Sequence, residues 1–301
     1  MNSPTLSRPI KATESRHISI GRLVKNRVAA MLFLISFVIA MIPLAWLLWV
    51  VAKRGWYAIT QPDWWSHSLQ GVMPEQFAGG VYHALYGTLV QAGAATILSV
   101  PLGIMTAVYL AEYGSDRLAR VTTFMVDVLA GVPSIVATLF VFALWIATLG
   151  FEQSGFAVSL ALVLLMLPIV VRSCEEMLKL VPDELREASY ALGVTKWRTI
   201  LRVVIPTALP GIISGVFLSI ARIIGETAPV LVLVGYSRSI NYDIFSGNMA
   251  TLPLLIYTEL SNPEHAGFLR VWGAALTLII VVAVANLIAA AATRFLAVRR
   301  G

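Results

Sequence analysis

Long apolar runs separated by short polar segments dominate the chain. A membrane-spanning helix needs about 20 mostly apolar residues, and six runs reach that length. These predicted spans are residues 29–52, 85–111, 121–149, 157–174, 210–235 and 271–297. The pattern predicts an all-α membrane protein with six transmembrane helices.

The composition agrees with a membrane protein. Of the 301 residues, 58% are hydrophobic and 13% are charged, and the mean hydropathy is +0.81. A soluble chain of this length cannot bury so much apolar surface. The net charge of +6 is explained by basic flanks of the spans. We therefore expect membrane lipid, and no nucleic acid, as a partner.

The distribution of basic residues predicts the orientation. Of the 22 Lys and Arg residues, 17 flank one set of span ends and 4 flank the other. Because cytoplasmic flanks carry the excess, both termini and a polar segment at residues 175–206 are predicted to be cytoplasmic. Residues 1–28 would be a cytoplasmic tail and residues 53–84 an extracytoplasmic loop. The run at 29–52 is too long for a signal peptide and is expected to remain as the first span.

The polar segment between the fourth and fifth predicted spans has the signals of a short, complete helix. Pro182 suits a helix start, and Asp183 and Glu184 favour the positive end of the helix dipole. Gly193 can adopt the left-handed conformation that ends a helix. These signals predict a helix from about residue 182 to 192.

A second helical run begins at Lys196 and is predicted to close at Pro206, because proline ends many helices. The two helices would form an ordered hairpin in the cytoplasm. A membrane protein with such a hairpin presents a surface to water, so we expect a soluble partner to bind there.

The patterns of several enzyme classes are absent from the sequence. There is no P-loop, no H-E-x-x-H and no G-x-S-x-G, which leaves ATP binding, metalloprotease and esterase activity unsupported. The four histidines are scattered without metal-ligand spacing. We expect no catalytic residue, metal or cofactor in this chain, and any step driven by ATP would need a separate subunit.

Arg222 and Glu226 are the strongest candidates for chemistry inside the membrane. Both fall near the middle of the fifth predicted span, where one ionised side chain costs about 2.5–3.5 kcal/mol. A spacing of four residues would let them pair on one helix face, either as a structural ion pair or along a transport path. The planar fork of Arg222 suits phosphate, sulfate or carboxylate. Thr227 follows, and Pro229 cannot bond the carbonyl of Gly225, which permits a hinge.

Three further polar residues are candidates for the same path. Asp127 lies about two turns into the third span and could equally be a buried acid paired with a neighbouring helix. Residues 131–134 (GVPS) either kink that span or break it, and a new helix beginning at Ser134 would offer N–H groups to an anion. Arg172, at the predicted cytoplasmic end of the fourth span, could reach the lipid headgroups or contact the exit of a path.

The hairpin resembles a known sequence pattern. Residues 187–189 (EAS), Gly193 and residues 203–206 (VVIP) resemble the EAA loop of ABC-importer permeases, in which EAA is followed by Gly and then I-x-L-P. In that family the loop forms the coupling helix that inserts into a groove of the ATPase subunit. The resemblance implies that the ATPase contact is carried by Asp183, Glu184, Glu187, Ala188, Ser189 and Gly193.

Three other stretches are similar to the phosphate branch of this family. Residues 131–136 resemble its GIPSIV segment, residues 222–229 (RIIGETAP) its R-x-x-GETAP segment and residues 251–257 its TLP-x-x-IY segment. Continuation of Gly-Glu-Thr by Ala-Pro favours the PstA group of subunits over the PstC group. The resemblance covers roughly residues 80–297, so residues 85–297 are expected to form the permease domain.

The resemblance implies a type I ABC importer permease fold in the bacterial cytoplasmic membrane and import of inorganic phosphate. It also implies three partners: a PstC-like second permease, a PstB-like ATPase dimer and a PstS-like phosphate-binding protein. Two alternatives come from other classes. A secondary anion transporter driven by an ion gradient would use Arg222 and Glu226 equally well but has no need of an EAA-like loop. A membrane sensor or scaffold would use the hairpin only to recruit a partner.

Overall fold

The computed structural model describes residues 20–114 and 116–298, and this part of the chain is helical without strands. Residues 1–50 and 51–301 form two units. In the first unit, helix α1 (Ile20–Ile59) begins at residue 20 and exposes nearly all of its apolar side chains. Residues 20–28 of the predicted tail therefore belong to α1, and residues 1–19 lie outside the described residues.

The second unit holds the end of α1 and ten further helices among its described residues. They are α2 (Tyr82–Val108), α3 (Arg117–Gly131), α4 (Ser134–Val141), α5 (Gly155–Lys179), α6 (Asp183–Ala191), α7 (Lys196–Thr199), α8 (Ile205–Ile224), α9 (Ala228–Leu233), α10 (Leu252–Glu259) and α11 (His265–Val298). Five single helical stretches in the described chain are long and apolar enough to cross a membrane. The bent pair of α3 and α4 makes a sixth candidate span.

Helix α5 lies at the centre of this unit, with α2 packed on one side and α8 on another. Small residues permit the close approach. A Cβ atom at Gly103 of α2 would lie 2.6 Å from Val170 Cγ1, and one at Gly215 of α8 would lie 2.5 Å from Ser173 Cβ. Dispersion contacts between closely packed backbones are a main source of helix association in lipid. These glycines therefore fix α2 and α8 against α5.

The third predicted span, residues 121–149, is broken rather than straight. Helices α3 and α4 meet at an angle of 105°, and Val132 and Pro133 between them are extended. The sequence allowed residues 131–134 either to kink the third span or to break it into two helices. The structure shows two helices, so the kink is wrong. A π-helical stretch, Phe142–Thr148, continues α4.

The predicted stop at Pro206 is wrong. A single helical stretch runs from Lys196 to Ile224, with Pro206 in the first turn of α8 just after a π-helical segment, Ile200–Val204. The wider π turn lets the chain continue past a residue that has no N–H. The same helix ends at Ile224, so residues 225–235 of the fifth predicted span lie outside it.

Other helix ends also differ from the predicted span ends. Helix α5 continues to Lys179, which places Glu175 inside a helix, and α1 continues to Ile59. The short apolar segment that contains Pro253 forms α10, and the N-terminal half of this helix is buried. Trp64, in the loop that follows α1, is 1% exposed, and its indole N–H donates to Thr277 Oγ1 at 3.0 Å.

Candidate functional site

The short helix that the sequence predicts between the fourth and fifth spans is present as α6. Pro182 precedes its first residue, Asp183. Gly193 has a φ of +76°, and its N–H donates to Tyr190 O at 2.9 Å while Val194 N–H donates to Ser189 O at 3.2 Å. These bonds satisfy carbonyls at the helix end, and only glycine adopts that φ without strain. Helix α6 therefore has a fixed start and a fixed end.

Most of the residues assigned to ATPase contact point to solvent. Asp183, Glu184, Glu187, Ala188 and Gly193 are all exposed. Helix α6 and its C-terminal end also expose three larger apolar side chains: Leu185, Tyr190 and Leu192. We call these eight residues the hairpin surface. Exposed apolar side chains interspersed with acidic ones give it the character of a docking surface for another protein.

Ser189 does not belong to the hairpin surface. Its side chain is buried, and its hydroxyl lies 2.8 Å from Thr199 Oγ1 of α7, which is fully buried. The serine that replaces the second alanine of the EAA pattern thus joins α6 to α7. It positions the hairpin from inside.

Arg186 anchors α6 to Glu112 of the π-helical segment Tyr109–Tyr113, which continues α2, a contact that sequence reasoning missed. Its Nη2 lies 2.9 Å from Glu112 Oε1 and 3.0 Å from Leu178 O, and its Nε lies 3.2 Å from the same Glu112 oxygen. The two side chains are 14% and 5% exposed. Lys196 of α7 adds a bond to Glu112 O and lies 4.3 Å from the Tyr113 ring. The charged end of α2 therefore holds both helices of the hairpin.

The connection from α2 to α3 is also held by a carboxylate. Asp116 accepts hydrogen bonds from Ala119 N–H, as the N-cap of α3, and from Tyr109 OH of the segment that follows α2, each at 2.9 Å. These two donors, the backbone N–H first, lower the pKa of Asp116. The end of α2 and the start of α3 are therefore fixed to each other.

Arg222 and Glu226 lie at the end of a helix and not at its middle, so their predicted place is wrong. Arg222 is in the last turn of α8, Gly225 ends the helix, and Glu226 N–H donates to Ile223 O at 3.1 Å. Arg222 Nη2 and Glu226 Oε1 are 3.6 Å apart, with the side chains 59% and 16% exposed. That distance allows charge attraction but no hydrogen bond. The guanidinium is left open to another anion.

Thr227 follows this break and faces an open cavity. The cavity has a volume of about 250 Å³ and is lined by Gly225, Thr227 and Tyr257, together with apolar residues of α10 and α11. Its size is close to the lower limit of common small-molecule sites, about 300 Å³. The break after α8 therefore has space beside it for a small ion.

Asp127, Arg172 and Glu175 form a second charged group, between α3 and α5. Arg172 bonds to Asp127 and, at 2.9 Å, to Glu175 Oε2, while Lys179 Nζ lies 2.6 Å from Glu175 Oε1. Asp127 is paired with a neighbouring helix, as one of its two interpretations expected, but its side chain is largely exposed rather than buried. Arg172 lies well inside α5 and not at its end, because α5 runs on to Lys179.

The path candidates do not all come together. Ser134, half-buried, is the first residue of α4, and its backbone carbonyl accepts from Thr138 Oγ1 at 2.7 Å. Among the described residues, no hydrogen bond or ion pair joins Asp127 or Arg172 to Arg222 or Glu226. The structure thus separates a site at the end of α8 from a charge network on α3 and α5.

A buried ion pair between the C-terminal end of α10 and the N-terminal part of α11 was also missed. Arg270 Nη1 and Glu259 Oε2 are 3.1 Å apart, and both side chains are almost fully buried. Arg270 also donates to Met73 O and Gln76 O. The two residues are 11 positions apart on different helices, so no helix spacing in the sequence indicates the pair.

Comparison with known proteins identifies relatives over the whole chain. "Phosphate transport system permease protein PstA 1" of Mycobacterium tuberculosis is 73% identical over 300 residues, which cover 100% of this chain and 97% of the relative. A PstA of Mycobacterium leprae is 75% identical over 100% of this chain and 98% of the relative. One of Yersinia pestis is 38% identical over 88% of each.

Solved structures share the fold at low sequence identity. A bacterial ABC transporter involved in the import of the acidic polysaccharide alginate matches with a TM-score of 0.64 and 14% identity, over 91% of this chain and 97% of that one. The MetNI methionine ABC transporter, inward-facing, matches with a TM-score of 0.57 and 19% identity, over 72% and 94%. These matches confirm the predicted fold of a type I ABC importer permease.

A family profile described as "Binding-protein-dependent transport system inner membrane component" matches residues 99–300. That range contains the hairpin surface, its anchoring contacts on α6 and α2, and the break after α8. The chain therefore belongs to this family of inner membrane transport components and, within it, to the PstA permeases.

Proposed function

We propose that this chain is the membrane-spanning permease subunit of an ATP-driven importer of inorganic phosphate. The observation that carries the proposal is the 73% identity, over the full chain, to a phosphate transport system permease. The hairpin surface supports it independently, because a gradient-driven transporter needs no docking helix. Phosphate would cross along a path shared with a PstC-like second permease.

The hairpin surface would bind a PstB-like ATPase dimer. Asp183, Glu184, Glu187 and Ala188 would make the contact, while Ser189 and Gly193 would hold α6 in shape. A docking helix transmits force only if it cannot tilt freely on its own protein. The bond from Ser189 to Thr199 and the pair of Arg186 with Glu112 supply that rigidity.

Arg222, Glu226 and Thr227 would form the anion-handling part of the path. An exposed guanidinium lowers the desolvation cost of phosphate. Its attraction to Glu226 at 3.6 Å is weak enough for an anion to compete, and weak binding lets the ion leave. Asp127, Ser134 and Arg172 would border the cytoplasmic part of the same path. A PstS-like protein would deliver phosphate at the opposite side, with both termini of this chain in the cytoplasm.

The test is uptake of radiolabelled phosphate by the assembled importer with Arg222→Gln or Glu226→Gln. We expect the Arg222→Gln rate to fall about tenfold to a hundredfold, the loss of one charge-assisted hydrogen bond. Arg294→Gln, at an exposed position of α11, is the control and should transport normally. Normal uptake in both path variants, with assembly verified by copurification, would contradict the role of this pair.

A further inference from the structure

Helix α2 buries an amide that has no hydrogen-bond partner. Gln91 is 1% exposed, and neither its Nε2 nor its Oε1 bonds to any described group. A buried amide without partners is costly, and apolar residues of similar size would fill the same space. Packing alone therefore does not explain why an amide occupies position 91, whereas a nearby group that it could bind would explain it.

Gln91 lines a small cavity together with Glu226. Thr88 of α2 and Thr251 complete its polar lining, and the remaining lining residues are apolar. The cavity has a volume of about 10 Å³, close to the 10–15 Å³ that one water molecule requires. Ligand pockets are at least an order of magnitude larger, about 300 Å³. The cavity thus has room for one water and excludes an oxyanion.

Glu226 lies between two possible partners. On its open side is Arg222, 3.6 Å away and 59% exposed. On its buried side is the cavity with the free amide of Gln91. Glu226 is the only titratable residue among the described residues that line the cavity from α2, α5, α8, α9 and α10. When Arg222 turns toward another anion, a carboxylate left there needs a new donor, and Gln91 Nε2 and a water can supply it.

We propose that Gln91, through one water bound in this cavity, holds the carboxylate of Glu226 when Arg222 releases it to bind phosphate. Gln91 is then a positioning residue that acts through Glu226. This inference rests on the proposed function for its role in transport. The contact between Gln91 and Glu226 itself does not depend on which ion is carried.

Replacing Gln91 shows whether its amide holds Glu226 or is simply unpaired, because the two cases predict opposite changes in the stability of the importer. Gln91→Met keeps the size of the side chain and removes the amide. If the amide has no partner, its removal leaves stability unchanged or raises it. If the amide holds Glu226 once Arg222 has turned to phosphate, Gln91→Met lowers the thermal unfolding midpoint of the purified importer in saturating phosphate, and the effect disappears in a Glu226→Gln background. Ser99→Ala is the matched control, because Ser99 is also buried and unpaired on α2 but does not line the cavity.

A swapped pair gives a second stability test. Gln91→Glu opposes two carboxylates, and the double variant Gln91→Glu with Glu226→Gln restores one amide and one carboxylate. We expect the double variant to unfold at a higher temperature than Gln91→Glu alone. A swap that recovers nothing, or a Gln91→Met effect of equal size with and without Glu226, would overturn the proposal.

Phosphate uptake at saturating phosphate and binding protein supplies the transport readout. We expect Gln91→Met to lower the maximal rate about tenfold, as for a lost hydrogen bond to a charged group, with Ser99→Ala unaffected. An unchanged rate would overturn the transport role. If the wild-type importer moved no phosphate, the proposed function would fail, while the stability measurements would still decide whether Gln91 holds Glu226.

Discussion

Arg186 is in the middle of a charged, exposed helix, and yet its guanidinium is turned inward. It bonds to Glu112 at 2.9 Å and to the carbonyl of Leu178 at 3.0 Å, which ties α6 to the ends of α2 and α5. Charged hydrogen bonds shielded from water are stronger than those on a surface. One side chain thus fixes an exposed helix to the ends of two longer helices.

Glu112→Gln should weaken this attachment. The amide keeps the shape of the carboxylate but loses its charge, so we expect a destabilisation on the order of 1–3 kcal/mol. The unfolding midpoint of the purified importer measures it. Glu176→Gln, an exposed acid near the end of α5, is the control. A loss no larger in Glu112→Gln than in the control would contradict the anchoring role.

The sequence indicated which residues of the apolar runs carry charge, but not how they are placed. Arg222 and Glu226 were proposed for the path by their charge, and their predicted place within a helix was wrong. The helix ends between them at Gly225, and a spacing of four residues does not reveal such an end. Arg186 and Glu112 were missed because their contact joins segments distant along the chain, and Gln91 because the cavity that it lines brings together residues from both halves of the chain.

At the scale of elements, local signals were sufficient where a helix is short and surrounded by water. Helix α6 begins after Pro182 and ends before Gly193 because proline and glycine act on the backbone directly. The prediction failed at Pro206, where the π segment Ile200–Val204 lets the helix continue. It also could not choose between a kink and the 105° bend at α3 and α4, since that angle depends on packing against other helices.

Helix α2 connects the two parts of the site. With its π-helical end it forms one stretch from Tyr82 to Tyr113, which carries Gln91 at the Glu226 cavity and Glu112 at the hairpin anchor. These residues are separated by roughly 30 Å along the axis at 1.5 Å per residue. A displacement of α6 is therefore applied directly to the helix that carries Gln91 at the Glu226 cavity.

Gly193→Val tests whether the end of α6 matters for docking. Valine at a φ of +76° is strained by about 1–3 kcal/mol, which should loosen the end of α6 and reduce copurification of the ATPase. Gly150→Val is the matched control, because Gly150 has a φ of +74° with equally open space but lies outside the hairpin. Equal recovery of the ATPase with both variants would count against a docking role for this helix end.

At the scale of the whole molecule, the chain carries the proposed docking surface and the proposed ion path, and its sequence contains no P-loop. Hydropathy predicted the helical membrane fold well, because the bilayer restricts spanning segments to a few structures. The partner proteins could be predicted only from the family resemblance, which includes the EAA-like pattern. Helix signals such as Pro182 and Gly193 predict a short exposed helix, but they do not specify which protein would bind it.

The most direct test of the account is phosphate uptake into vesicles that contain this chain, its partner permease and the ATPase dimer, with binding protein outside. The account predicts uptake only when ATP is enclosed, and none when an ion gradient replaces ATP. Equal uptake from an ion gradient without ATP would contradict the claim that an ATPase drives transport through the hairpin surface.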